Sequence, residues 1–164
     1  MIKNKAVFFD RDGVLNEERK DYVKSISELK IFPYIGNAIK KLQSSGFLIF
    51  VITNQSAINR ELTSIENIND IHSTIQDFLK DFDTKISHFY FCPHKPDENC
   101  SCRKPKSDLF FQAAKEFDIS LKTSWMIGNN DSDIIAGNNA GCTSIKINSK
   151  SEFLDSINLI LKSS

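Results

Sequence analysis

Two carboxylates one residue apart, Asp10 and Asp12, follow the apolar run Ala-Val-Phe-Phe at residues 6–9. Such a run is typical of a buried strand of a parallel sheet, and open α/β sheets bind ligands where their strands end. A carboxylate at Asp10 can attack phosphorus to give an aspartyl phosphate. The second carboxylate, Asp12, can protonate the leaving oxygen and then activate the water that hydrolyses the intermediate. An exposed Asp-rich turn after a strand is the structural alternative.

Two further polar segments follow predicted strands and are expected at the same edge of the sheet. The first offers hydrogen-bonding side chains that can surround a phosphate, at Thr53, Asn54, Gln55 and Ser56. The second is Gly-Asn-Asn-Asp-Ser-Asp at residues 128–133. Its oxygens suit Mg²⁺, which usually takes one or two carboxylates together with waters and phosphate oxygens. Turn formation is the alternative for the first segment, and helix capping by Asp131 is the alternative for the second.

A third kind of signal lies in the loop at residues 92–104. It carries three thiols and one imidazole, at Cys92, His94, Cys100 and Cys102. This set matches a closed, tetrahedral structural zinc site, and the alternative is a group of loose reduced thiols. Arg103 and Lys104 directly follow the last cysteine, so a folded zinc loop would fix two cations beside the catalytic edge. Positive charge at that position favours the binding of phosphate.

Composition excludes several classes of function. The 164 residues predict one domain over residues 1–164, and the 21 basic residues are balanced by 21 acidic ones. Without a basic surplus, we expect no nucleic acid and no membrane among the partners, and a zinc-knuckle nucleic-acid module is disfavoured. The longest apolar run, residues 47–53, is far shorter than the roughly 20 residues of a membrane span. Cysteines grouped with a histidine suit a reducing compartment, so a cytoplasmic location is expected. A monomer is also expected.

Strand and helix patterns alternate along the chain. The apolar runs predict strands at residues 6–9, 47–53, 86–91, 124–127 and 143–147. Helical spacing of apolar residues predicts helices at 34–45, 65–82, 107–117, 131–139 and 149–161. Predicted caps are the boxes Thr63 with Glu66 and Ser149 with Glu152, and a single residue, Ser107. This alternation indicates an α/β fold with a doubly wound, mostly parallel sheet and functional loops along one edge.

Taken together, these segments resemble the motifs of the haloacid dehalogenase superfamily. The motifs are Asp10-Arg11-Asp12-Gly13-Val14, Thr53, Lys104 and the segment 128–133, and they span nearly the whole chain. The longer strings that include Asn16, Thr53-Asn54-Gln55-Ser56 and the zinc loop are similar to the zinc-containing heptose-bisphosphate and histidinol-phosphate phosphatases. The resemblance implies a Rossmann-like core. Since neither the segment 16–33 nor 60–86 is long enough for a separate cap domain, loops must enclose the substrate.

The resemblance also implies roles for individual residues. Asp10 would be the nucleophile and Asp12 the acid/base, while Thr53 and Lys104 would hold the transferring phosphoryl group. Substrate contacts would come from Asn54, Gln55, Ser56 and Arg103. Ligands for Mg²⁺ would be Asp10, the backbone carbonyl of Asp12, Asn129 and Asp133. The implied substrate is D-glycero-D-manno-heptose 1,7-bisphosphate, which would lose its 7-phosphate in the synthesis of surface-polysaccharide precursors.

One position departs from the family pattern. The fourth motif normally has an acid after its glycine, whereas this chain has Asn129, followed by Asn130 where the subgroup often has lysine. Because charge tunes the affinity of oxygen sites, we predict weakened Mg²⁺ binding with activity retained, and Asn129→Asp should lower the half-saturating Mg²⁺ concentration. Two other functions stay open. One is histidinol-phosphate phosphatase activity, and the other is a catalytically weakened relative that binds phosphorylated ligands.

Overall fold

The protein is built around a five-stranded parallel sheet, as a computed structural model describing residues 2–164 shows. The strands are β1 (Lys5–Phe9), β2 (Phe47–Asn54), β3 (His88–Cys92), β4 (Trp125–Gly128) and β5 (Thr143–Lys146), in the spatial order β3-β2-β1-β4-β5. The helices are α1 (Ile35–Ser44), α2 (Ile65–Lys80), α3 (Asp108–Glu116), α4 (Asp131–Ala140) and α5 (Lys150–Ser163). The predicted fold class is confirmed, and β3 begins two residues later than expected. Residue 1 of the predicted 1–164 domain lies outside the described residues.

The two faces of the sheet bury separate apolar cores because successive side chains of a strand point to opposite sides. In β1, Phe9 packs into the core that holds the apolar sides of α1, α2 and α5. Its neighbour Phe8 packs into the other core, with Phe110 of α3 and Ala136 of α4. Both phenylalanines are fully buried, and burying one such side chain stabilises the fold by about 1.5–3 kcal/mol. Strand β1 is therefore held from both sides.

The strand register places the ends of three strands together. Phe9 pairs with Val51 of β2 on one side and with Ile127 of β4 on the other. The next residue, Asp10, donates its backbone N–H to the carbonyl of Ile127 at 3.0 Å. Asp10 therefore leaves the sheet in the middle of its carboxyl edge, between the loops that follow β2 and β4.

One predicted helix cap is wrong, and a second is confirmed in position only. The residue that caps α2 is Ser64, whose hydroxyl accepts from the backbone N–H of Asn67, whereas Thr63 donates its hydroxyl to the carbonyl of Lys24. Ser107 occupies the N-cap position of α3, but its hydroxyl donates to the carbonyl of Ala136 in α4 and makes no cap hydrogen bond. In both cases the hydroxyl that the local pattern assigned to the helix donates instead to a backbone carbonyl distant in the chain.

The third predicted cap is confirmed in part. Ser149 accepts from the backbone N–H of Glu152, as expected, but the Glu152 carboxylate reaches Asn148 instead of Ser149.

Within residues 2–164, no helix is both long and apolar enough to cross a membrane.

Candidate active site

A pocket of about 550 Å³ opens at the carboxyl edge of the sheet. It brings together residues that the sequence pointed to from four different loops, namely Asp10, Asp12, Thr53, Asn54, Arg103, Lys104 and Asp133. Side chains that sequence reasoning did not single out complete the lining, among them Glu18, Arg19, Lys20, Tyr22 and Ser132. The loop after β1 contributes the largest part of this second set. The crevice expected at the end of β1 is therefore present.

Asp10 shares one cation with a second carboxylate. The Nζ atom of Lys104 lies 2.9 Å from Oδ1 of Asp10 and 2.6 Å from Oδ1 of Asp133. All three residues are at least 94% buried, because their exposed fractions are 6%, 3% and 1%. Burial raises the pKa of Asp10 to about 7, with Lys104 opposing the rise and Asp133 adding to it. The pKa of Lys104 is also raised, since its two carboxylate partners outweigh the effect of burial.

Lys104 is held in place by the end of β2. Its ammonium group donates to the carbonyl of Ile52 at 2.6 Å. The side chain of Asn54 makes two hydrogen bonds to the backbone of Lys104, accepting from its N–H at 3.0 Å and donating to its carbonyl at 3.2 Å. Asn54 was expected to contact substrate, and the structure gives it a positioning contact that the sequence did not reveal. The zinc loop and strand β2 are thereby joined at the residue that reaches Asp10.

Asp12 lies in a cage of hydrogen-bond donors. Arg11 Nη2 reaches both carboxylate oxygens, at 3.0 and 3.2 Å, while Asn16 Nδ2 and Gln55 Nε2 each donate at 2.9 Å. Burial opposes ionisation, but Arg11 and these hydrogen bonds outweigh it and hold the pKa of Asp12 below its usual range. Asp12 is therefore ionised at neutral pH in the free protein.

Behind the cage, Arg11 is fully buried and contacts a histidine from α2. Its Nη1 atom lies 3.2 Å from Nε2 of His72, whose ring stacks on Phe89 with centroids 4.4 Å apart. Because arginine only donates, Nε2 of His72 must accept, which places the ring proton on Nδ1. Burial and the neighbouring Arg11 lower the pKa of His72 to about 3. Sequence reasoning missed this contact because nothing in the helical pattern distinguishes His72 from a core residue.

The polar segment after β2 divides into two groups. Thr53 and Asn54 line the pocket, whereas Gln55 and Ser56 are buried behind that lining. Gln55 Nε2 donates to the hydroxyl oxygen of Thr53 at 2.8 Å, which leaves the Thr53 hydroxyl proton free for an anion in the pocket. Oε1 of Gln55 accepts from Arg11 at 3.3 Å. Gln55 therefore connects the Asp12 cage to the predicted phosphoryl-binding threonine.

The segment after β4 folds around Asp133. Oδ2 of Asp133 accepts from the backbone N–H groups of Asn129 and Asn130, at 3.1 and 3.0 Å. A side chain at Gly128 would collide with Asp133, so this close approach requires glycine. Asp131 points away and pairs with Lys146 at 2.8 Å on the surface. The N-cap of α4 is Asn130, so Asp131 does not cap the helix as the structural alternative supposed.

The donor set of the pocket fits a divalent cation. Asp10 and Asp133 have one ammonium group between them, so one negative charge is left without a cation. Within residues 2–164, side-chain hydrogen bonds reach only Oδ1 of Asp10, so Oδ2 is left for another partner. Carboxylate and carbonyl oxygens are the ligands that Mg²⁺ prefers.

The four predicted zinc ligands lie together. Their ligand atoms all fall within 4.8 Å of one another, and the four cysteines of the chain are free thiols. Sγ of Cys92 lies 3.3 Å from Nδ1 of His94, 3.6 Å from Sγ of Cys100 and 2.8 Å from Sγ of Cys102. A tetrahedral zinc ion with bonds of about 2.0–2.3 Å requires ligand atoms roughly 3.3–3.8 Å apart. The cluster is therefore compact enough to hold such an ion.

Arg103 connects the loop at residues 92–104 to the pocket. Its Nη1 atom donates to the carbonyl of His94 at 3.1 Å, and its side chain forms part of the pocket lining. This loop therefore supplies part of the pocket wall.

The known proteins that are similar to this chain include heptose-bisphosphate phosphatases. A family model described as HAD-hydrolase-like matches residues 101–152. The D-glycero-beta-D-manno-heptose-1,7-bisphosphate 7-phosphatase of Helicobacter pylori is 42% identical over 141 residues, covering 85% of this chain and 81% of the relative. The probable heptose-bisphosphate phosphatase of Thermoplasma acidophilum is 38% identical over 77% of this chain and 79% of its own.

Solved structures agree with the sequence relatives. The D,D-heptose 1,7-bisphosphate phosphatase of B. bronchiseptica, crystallised with magnesium and phosphate, superposes with a TM-score of 0.88 at 26% identity. The match covers 98% of this chain and 99% of that one. The corresponding enzyme of Burkholderia thailandensis gives a TM-score of 0.62 at 27% identity, over 85% of this chain and 75% of that one.

Proposed function

Because the chain belongs to the heptose-1,7-bisphosphate 7-phosphatase family of HAD-like hydrolases, we propose that it removes the 7-phosphate of D-glycero-D-manno-heptose 1,7-bisphosphate. The observation that carries this proposal is the buried contact of Asp10 with Lys104 in a pocket also lined by Thr53 and Asp12. A nucleophilic carboxylate beside a fixed cation and a hydroxyl donor is what phosphoryl transfer requires. The reaction would supply precursors of surface polysaccharides.

In the first half-reaction, an oxygen of Asp10 attacks phosphorus and the bond from phosphorus to the sugar oxygen breaks. Lys104 and the free hydroxyl proton of Thr53 hold the equatorial oxygens of the transferring group, where charge is spread. An incoming phosphate brings negative charge beside Asp12, which raises the pKa of this carboxyl so that it carries a proton. Asp12 gives that proton to the leaving sugar oxygen.

In the second half-reaction, water attacks the phosphorus of the aspartyl phosphate. Asp12 takes the proton of this water, and the bond from phosphorus to the Asp10 oxygen breaks to release phosphate and the free carboxylate. The cage of Arg11, Asn16 and Gln55 suits Asp12 to this step because it stabilises an ionised carboxylate in the free protein. The same side chain thus serves as acid and then as base.

Two metal ions complete the proposal. Asp10, the backbone carbonyl of Asp12, Asn129 and Asp133 would hold Mg²⁺, which when bound supplies positive charge to the phosphate oxygens. Zn²⁺ at Cys92, His94, Cys100 and Cys102 would be structural and would fold the loop that carries Lys104. Free thiols are kept reduced in the cytoplasm, and we place the protein there.

The cations of the pocket lining favour a bisphosphate over histidinol phosphate. Lys20 and Arg103 both line the pocket, and they lie in different loops. A second phosphate on the substrate would find a cation there, whereas the ammonium group of histidinol phosphate would be repelled. Gln55 and Ser56 stay behind the lining, so in this proposal Gln55 positions Asp12 and does not touch the sugar.

Phosphate release is the test. Zinc-loaded protein should hydrolyse heptose 1,7-bisphosphate in preference to histidinol phosphate and other sugar phosphates across a Mg²⁺ titration. Asp10→Asn should abolish release, while Asp131→Asn, a matched change whose side chain faces Lys146, should leave it intact. Preference for histidinol phosphate would support the second activity. Binding of the esters without turnover at saturating Mg²⁺ would support the catalytically weakened relative.

A further inference from the structure

Glu18 and Asn129 meet beside the proposed Mg²⁺ site. Glu18 lies in the loop after β1 and Asn129 directly follows β4, and Nδ2 of Asn129 lies 3.2 Å from Oε2 of Glu18. Both side chains border the space over Gly13, where an added Cβ would collide with the Asn129 amide and lie 3.3 Å from Oε2 of Glu18. Gly13 follows Asp12, whose backbone carbonyl is one of the proposed ligands. The contact is therefore adjacent to the proposed site.

The hydrogen bond fixes which end of the Asn129 amide faces which way. An ionised carboxylate can only accept, so the Nδ2 end must point to Glu18. The amide oxygen, Oδ1, then lies on the other side, where it accepts from Nδ2 of Asn130 at 3.0 Å and retains a second lone pair. The amide oxygen thus has a free lone pair, and the nitrogen of the same amide is held by the carboxylate of Glu18. This is the arrangement of a metal ligand that is oriented by an outer partner.

Glu18 also lies in a region of negative charge. It shares the pocket lining with the carboxylates of Asp12 and Asp133. Its neighbour Glu17 faces the opposite way and pairs with Lys30 at 3.6 Å. Glu18 thus points its charge toward the pocket, while an adjacent residue of the same type does not.

We propose that Glu18 and Asn129 together replace the single acid that the fourth motif lacks, with Asn129 offering the oxygen to Mg²⁺ and Glu18 supplying the negative charge behind its amide. Glu18 is in this view a positioning residue, because it acts through Asn129. The inference rests on the Mg²⁺ site of the proposed function. The role proposed for Glu18 can exist only in a chain that has an amide at residue 129.

The test is Mg²⁺ affinity, measured by calorimetry on zinc-loaded protein without substrate. Glu18→Gln keeps an acceptor for Asn129 but removes the charge, so affinity should fall about tenfold, within the range known for outer partners of metal ligands. Glu17→Gln removes the same charge one residue away and should change affinity less than about twofold, because its partner is the exposed Lys30.

The double variant gives the decisive comparison. Asn129→Asp should tighten binding, and adding Glu18→Gln to it should cost less than about threefold, because the new carboxylate supplies the charge itself and leaves no amide nitrogen for Glu18 to hold. Unchanged affinity in Glu18→Gln would overturn the inference. So would an equal loss in both backgrounds, since Glu18 would then act independently of Asn129.

Failure of the proposed function would look different. Metal affinities that follow the expected pattern, in a protein that turns over no phosphate ester, would leave the Glu18–Asn129 inference standing and overturn the phosphatase assignment. Turnover of heptose bisphosphate with unchanged metal affinity in Glu18→Gln would do the reverse.

Discussion

Asp10 and Asp12 belong to the same loop and line the same pocket, yet their surroundings push their pKa values in opposite directions. The pKa of Asp10 is raised to about 7 and that of Asp12 is lowered. Burial raises both, so the difference must come from their partners. A carboxylate's position in a motif does not determine its protonation state, which depends on side chains from other elements.

The partners differ in how charge is balanced. Lys104 is one cation between two carboxylates, so Asp10 retains a buried negative charge that only a proton or a metal ion can offset. Arg11 is one cation for one carboxylate, because its other neighbour, His72, is neutral. The Asp10 side of the pocket is thus prepared for a cation, while the Asp12 side is already neutralised.

The largest effect on stability is expected when the Lys104 cation on the Asp10 side of the pocket is removed. Lys104→Met would leave Asp10 and Asp133 buried without a cation, and breaking such a pair typically costs about 3–5 kcal/mol. We expect a loss of that size in the free energy of unfolding by urea, together with loss of phosphate release. The surface variant Lys115→Met serves as the control. A loss below about 1 kcal/mol would show that Lys104 does not balance the two carboxylates.

On the Asp12 side, His72 should make the free energy of unfolding depend on pH. Between its usual pKa of about 6.5 and the folded value of about 3, the unfolded chain binds a proton at His72 and the folded protein does not. Stability is therefore lost as the pH falls, by up to about 2.7 kcal/mol at pH 4.5. Urea unfolding of His72→Gln against the native protein should show a shallower pH dependence, with His88→Gln as the control. Equal slopes in all three would contradict a neutral His72.

On the Asp10 side, the affinity for Mg²⁺ should depend on pH. Below about pH 7 Asp10 carries a proton that Mg²⁺ must displace, so the apparent Mg²⁺ affinity should fall about fivefold from pH 7 to pH 6. Calorimetry in two buffers of different ionisation enthalpy would count the released proton. Asp10→Asn should abolish this proton release. Release that persists in that variant would assign the proton to another group.

The smallest effect is expected where Gln55 connects the two sides. Gln55→Met removes a donor from both Asp12 and Thr53 but no part of the pocket lining. We expect kcat to fall about fivefold, equivalent to about 1 kcal/mol, with KM unchanged. Ser56→Ala should leave both parameters within about twofold. A raised KM with native kcat would instead return Gln55 to the substrate-binding role that the sequence suggested.

The sequence predicted features that arise from short stretches of chain. The alternation of apolar runs and helical spacing located all five strands and five helices, and the rule that parallel strands end at one edge brought Asp10, Thr53 and Asp133 together. The spacing of Cys92, His94, Cys100 and Cys102 predicted the metal cluster. These signals are readable because each depends on residues close in sequence or on a general rule of sheet topology.

Local patterns failed where a distant partner competed for the same side chain. The hydroxyl of Thr63 donates to Lys24 and that of Ser107 donates to Ala136, so neither hydroxyl makes the predicted cap hydrogen bond. Asn54 holds the backbone of Lys104, which is 50 residues away in sequence. A hydroxyl or amide forms whichever hydrogen bond its surroundings allow, and those surroundings are not encoded in the neighbouring residues.

By itself, then, the sequence determined the parallel sheet, the edge that carries the chemistry and the cysteine–histidine cluster, and its resemblance to the family showed that Asn129 stands where an acid is usual. The tertiary structure alone decided that Lys104 is shared by two carboxylates, that Arg11 contacts a neutral His72 as well as Asp12 and that Glu18 lies behind Asn129. Periodicity and spacing act over a few residues, whereas the pKa of a buried carboxylate depends on charges within a few ångströms, from any part of the chain.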